Sequence, residues 1–91
     1  MELHAIDIEL RNHSVYKSIS FTCKNIYFNS AETGKQIIFL HGVNFSKLDS
    51  AEIAALMFSS PEYVEMRYGD SVNTMRIKMV DTAARQIKLE R

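Results

Sequence analysis

Apolar and polar residues alternate along much of this chain with the two-residue period of half-buried strands. In residues 4–11, His4, Ile6, Ile8 and Leu10 share one face, and Ala5, Asp7, Glu9 and Arg11 take the other. A polar break at 12–14 precedes a longer strand-like stretch, 15–29. There Ile19, Phe21 and Cys23 share a face opposite Ser18, Ser20, Thr22 and Lys24. The parity then changes, because Ile26 and Phe28 fall on the face that Lys24 occupies. An extra residue near Lys24–Asn25 would return them to the core, so the pattern predicts a bulge there, or two short strands instead of one. The turn-like segment 29–34 contains Gly34 and leads into 36–41. Residues 26–29 and 36–41 should form a hairpin, and Ile37, Ile38, Phe39 and Leu40, apolar on both faces, mark 36–41 as the central strand.

Periodicity shifts once. Asp49 followed by Glu52 has capping-box spacing, with Leu48 and Ile53 at the staple positions. A helix of about ten residues should follow, ended by Ser59, Ser60 and Pro61, with Ile53, Leu56 and Met57 buried. Further on, Val64, Met66 and Tyr68 alternate with Tyr63, Glu65 and Arg67. A turn around Gly69 leads to Met75, Ile77 and Met79 inward, with Val80 on the outward parity. Residues 81–84 form a connection, and 85–91 a final strand with Ile87 and Leu89 inward. The predicted fold is α+β: an antiparallel sheet of about five to six strands with one short helix packed on one face, and residues 1–91 forming a single domain.

Composition narrows the function classes. The 91 residues carry 11 basic and 11 acidic side chains and one cysteine. Zero formal charge gives no overall steering toward nucleic acid or anionic lipid, and one cysteine forms no internal disulfide. No apolar run approaches the roughly 20 residues of a spanning helix, and the N-terminus lacks the basic and apolar regions of a signal peptide. These features lead us to expect a cytoplasmic protein that does not enter a membrane.

Catalytic patterns are missing. His4, His13 and His41 lack metal-motif spacing, and a site made of His4, His41 and Cys23 would need neighbouring strands to bring them together. Cys23 reads as an inert core thiol. Gly34, Gly42 and Gly69 build no phosphate loop. Asp7 and Glu9 share a face and could hold a cation, although a solvated outer face is the plainer reading. We therefore expect no enzyme, no metal and no cofactor.

Two features favour a binding role instead. Residues 67–91 hold six basic and three acidic side chains, and Arg67, Arg76 and Lys78 share the outward parity of one hairpin with Tyr63. Such a face suits an acidic protein patch or, as the alternative, single-stranded nucleic acid. In addition, if Ile37 and Phe39 face the helix, Ile38 and Leu40 emerge on the other side of the sheet, where Tyr16 and Tyr27 also point. A lone short helix cannot cover both faces, so either residues 82–91 fold over this second face and close it, or the uncovered apolar surface calls for a partner; the latter is the reading taken. The expectation is a small non-enzymatic interaction module, a homodimer that binds and modulates or inhibits a larger macromolecule, as compact viral regulators do. Its contact residues would be Tyr16, Tyr27, Ile38, Leu40, Tyr63, Arg67, Arg76 and Lys78.

Overall fold

The computed structural model describes residues 5–11, 18–30, 34–58 and 63–91. The strands are β1 (Ile6–Arg11), β2 (Ser18–Cys23), β3 (Asn25–Ser30), β4 (Gln36–His41), β5 (Tyr63–Tyr68), β6 (Ser71–Asp81) and β7 (Gln86–Glu90). A 3-10 turn, Phe45–Lys47, and one helix, α1 (Ser50–Met57), separate β4 from β5. The strands form one antiparallel sheet of seven in the order β2-β1-β5-β6-β7-β4-β3. The seventh strand arises where the long second stretch breaks at Lys24, the position its change of parity indicates.

That break sets the shape of the sheet. β2 and β3 are its two edges, yet Lys24 alone joins them. The sheet must therefore curl until its edges meet. Backbone hydrogen bonds stitch the seam: Lys24 N–H donates to the His41 carbonyl at 2.9 Å, and Asn44 N–H to the Thr22 carbonyl at 2.8 Å. Phe28 of β3 also reaches Tyr68 of β5, with ring centroids 5.9 Å apart, although four steps of the strand order separate them. The result is a barrel-like cylinder whose inside is the core.

Closure changes which residues are dry. Ile38 and Leu40 do not emerge on an uncovered face; both are 0% exposed. Leu40 lies between Ile26 and Ile87, and Ile38 between Phe28 and Leu89. The expectation of an exposed Ile38–Leu40 surface treated the sheet as flat, with a helix needed to cover one side. A curled sheet buries one face against itself, and β7, pairing with β4, supplies the missing wall. Ile8, Leu10, Ile19, Phe21, Val64, Met66, Met75 and Ile77 complete the lining.

A register shift between Ile77 and Met79 corrects two further positions. Lys78 is the extra residue. Met79 therefore sits opposite Lys88 and is exposed, whereas Val80 sits opposite Ile87 and packs against the core.

The helix forms as its sequence indicates. Asp49 accepts from Glu52 N–H at 2.8 Å, and the Glu52 carboxylate accepts from Asp49 N–H at 3.1 Å, which completes the capping box. Leu48 and Leu56 enter the core, and Ile53 packs against it. Met57, expected in the buried stripe, is exposed, because α1 lies against β6 by a narrow side and does not cover a whole sheet face. Tyr16, His4, His13 and the helix stop at residues 59–61 lie outside the described residues. Among the described residues, no helix is long and apolar enough to cross a membrane.

Candidate functional site

Outward side chains of a closed sheet follow from register. Across β3, β4, β7 and β6, Tyr27, Phe39, Lys88 and Met79 stand opposite one another in turn. His41 is two residues from Phe39 and so shares its face. The rings of Tyr27 and His41 meet edge to face at 4.8 Å between centroids, and those of Phe39 and His41 at 6.2 Å. The Lys88 ammonium lies over the Phe39 ring, 5.7 Å from its centroid. With Phe28 and Asn29 these rings line a shallow groove of about 360 Å³. Tyr27 is 48% exposed, while Phe39 and His41 are half-buried. Phe28, on the inward parity beside Ile38 and expected in the core, is instead also 48% exposed on the edge strand and borders the groove.

The remaining proposed contact residues fall elsewhere on the cylinder. Tyr63 of β5 stands opposite Arg76 of β6, and the Arg76 guanidinium lies over the tyrosine ring at 5.4 Å. Arg76 also approaches Glu90 at 3.8 Å, as does Lys35. Lys78 is exposed at the bulge. Curvature turns this group away from Tyr27, so one flat partner cannot touch both. Arg67 is farther round still. It stands opposite Val72 on one side and Glu9 on the other, on the flank where Glu9 pairs with Arg11 at 2.6 Å. Glu65 faces Thr74 within the hairpin and Arg11 across β1, and so does not neutralise Arg67, Arg76 or Lys78 directly across a pair.

Catalytic constellations do not assemble among the described residues. Cys23 points into the core while His41 points outward. Burial pushes the Cys23 thiol up to about 11, against a lesser opposing effect of a hydrogen bond from the Asn25 backbone. The thiol is thus protonated at neutral pH, the inert form. No group of three or more His, Cys, Asp or Glu side chains is placed to hold a metal ion among the described residues.

Phe28, Phe39, His41 and Lys88 are members of the aromatic groove that the sequence alone does not single out. Their only sequence signal is parity: Phe39 belongs with Ile37, and Lys88 with Gln86 and Glu90. The β4–β7 pairing that brings these two sets together is separated by more than forty residues of chain, which local alternation does not register. Compared with protein-family models, curated proteins and solved structures, the chain shows no significant match, so its site is read from its own geometry.

Proposed function

We propose that this chain is a non-enzymatic protein-interaction module that works as a homodimer, with the groove of Tyr27, Phe28, Phe39 and His41 and the adjoining Lys88 at the centre of the contact. The observation that carries the reading is this exposed aromatic cluster on β3, β4 and β7. Tyrosine, phenylalanine and a capping cation are the groups that interface cores favour. A second copy is the partner that the charge supports. The rings can pack against their counterparts, Lys88 can lie over an aromatic ring of the second copy as it does over Phe39, and a net charge of zero lets two copies approach without overall repulsion. A protein partner is favoured over nucleic acid because the rings meet edge to face and Lys88 covers one face of Phe39. That arrangement lacks the parallel ring platform on which bases stack.

Light scattering across a concentration series tests the proposal. The expected mass is twice the 10.5 kDa of the chain at roughly 100 µM, falling to the single-chain mass in Tyr27→Lys. Tyr27 is half exposed, so this substitution spares the core. A parent protein that keeps the single-chain mass over the whole series overturns the reading, as does a Tyr27→Lys variant that dimerises like the parent.

A further inference from the structure

A second cavity, of about 560 Å³, opens at the seam where β2 becomes β3, away from the aromatic groove. Its lining includes Lys24, Arg85, Asn44, Ser46, Val43 and Phe45, and among the described residues no carboxylate contributes to it. The backbone fixes where both residues sit, while their charged ends are exposed to solvent. Lys24 occupies the strand break, where its N–H donates to the His41 carbonyl. Its stem lies against Gly42: a Cβ at that glycine would come within 2.9 Å of the Lys24 Cβ, Cγ and Cδ, and Gly42 has φ +66°. Only glycine fits both that conformation and that approach.

Arg85 is the one described non-glycine residue with positive φ, 56°. The turn between β6 and β7 imposes this conformation: Ala84 N–H donates to the Asp81 carboxylate at 2.9 Å, and the Arg85 carbonyl accepts from Val43 N–H at 3.0 Å. Two turns far apart in sequence thus bring a lysine and an arginine to one cavity. Among the described residues, neither has a carboxylate within salt-bridge distance.

Neutral groups complete the lining. The Asn44 side-chain oxygen accepts from Ser46 N–H at 3.1 Å and from the Ser46 hydroxyl, which leaves the amide NH2 free to donate. The half-buried Phe45 ring, packed over the core residue Val43, adds an apolar wall. The size lies within the range of small-molecule sites, which are concave and combine apolar walls with a few fixed polar groups.

We propose that this cavity binds a small organic phosphate, its dianion held by Lys24 and Arg85 and its apolar part resting on the half-buried Phe45 ring. Two cations match the double negative charge of a phosphate monoester near neutral pH, and both arginine and lysine are recurring partners of that group. The Phe45 ring has nothing to contact in inorganic phosphate alone, so the organic portion contributes to affinity.

Phenyl phosphate, inorganic phosphate and phenol are the probes, titrated by NMR into the parent chain and into the Tyr27→Lys variant. Phenyl phosphate should bind, with amide shifts at Lys24, Gly42–Ser46 and Arg85. It should bind about tenfold more tightly than inorganic phosphate or phenol, the scale of one additional favourable contact. Arg85→Asn removes the charge while keeping a residue that tolerates positive φ. This variant and Lys24→Gln should each weaken phenyl phosphate roughly tenfold or more, whereas Arg67→Gln on the opposite flank should leave it unchanged. Equal binding in the parent and in Tyr27→Lys separates this site from the dimer contact. Four results overturn the proposal: no shifts with phenyl phosphate at about 10 mM, unchanged affinity in Arg85→Asn and Lys24→Gln, equal weakening in Arg67→Gln, or equal affinity for inorganic phosphate.

Discussion

The two flanks of the cylinder share one interior plan and differ outside. Over β1, β2 and β5 the outward side chains include Asp7, Glu9, Arg11, Ser20 and Arg67, mostly charged and partly neutralised among themselves, as in the Glu9–Arg11 pair, with the exposed Tyr63 ring at the end of β5 beside Arg76. Over β3, β4 and β7 they are Tyr27, Ile37, Phe39, His41 and Lys88. Beneath both, the inward rows are of the same kind: Leu10 with Ile19 and Met66 on one side, Leu40 with Ile26 and Ile87 on the other. The inside of a closed sheet answers to packing alone. Its outside is free to vary, and the two flanks differ there in the chemistry they present. The first flank is mostly charged, with Tyr63 as its exposed ring. The second presents the half-exposed Tyr27 ring beside the half-buried Phe39 and His41.

The comparison can be broken first at the core. Leu10→Ala and Leu40→Ala, one under each flank, should each cost about 2–5 kcal/mol, read from urea unfolding midpoints. A cost near zero for Leu40→Ala would mean that the aromatic flank has no sealed core beneath it.

Cys23, at the seam between the flanks, offers the next test. The folded thiol titrates near 11, against 9.0 for the free group. Below pH 9 both folded and unfolded states hold the proton, and the thiol adds no pH dependence. Between pH 9 and 11 the unfolded chain loses the proton while the folded chain keeps it, so stability should fall as pH rises through that window. Cys23→Ala should lack this component of the fall. Identical pH profiles for the parent and Cys23→Ala would show that the thiol is not sealed at the seam.

Smaller effects come next. Asp49→Ala removes the capping oxygen from Glu52 N–H and should cost about 1 kcal/mol, measured by thermal unfolding at fixed pH. The Glu9–Arg11 pair is the weakest case. Both side chains are substantially exposed, and a double-mutant cycle should give a coupling of about 0.2–1 kcal/mol that fades with added salt. A coupling several times larger would make the charged flank a structural device and weaken the contrast with the aromatic one.

Much of the fold was legible locally. The capping box at Asp49 and Glu52, the hairpin turning at Gly69, the inward Ile87 and Leu89, and the parity change at Lys24 all follow from rules that span a few residues. The site was less legible. Tyr27 and Tyr63 read correctly as outward, but their separation round the cylinder depends on curvature. Ile38 and Leu40 read as surface because a run apolar on both faces does not say which face goes in. Lys78 as a bulge, with the resulting exchange of Met79 and Val80, leaves no mark in alternation, since either register gives an acceptable strand.

The sequence by itself determined where strands, turns and the helix lie, because alternation, glycine placement and side-chain capping act over short distances of chain. It also determined that the chain lacks the usual catalytic spacings. Tertiary structure alone decided that the sheet closes, that Ile38 and Leu40 are interior, and that Phe39, Lys88 and His41 share a surface with Tyr27. Those outcomes depend on β4 pairing with β7 and on β2 and β3 meeting at a one-residue corner. They are contacts between distant segments, whose free energy comes from burying one whole face of the sheet against itself.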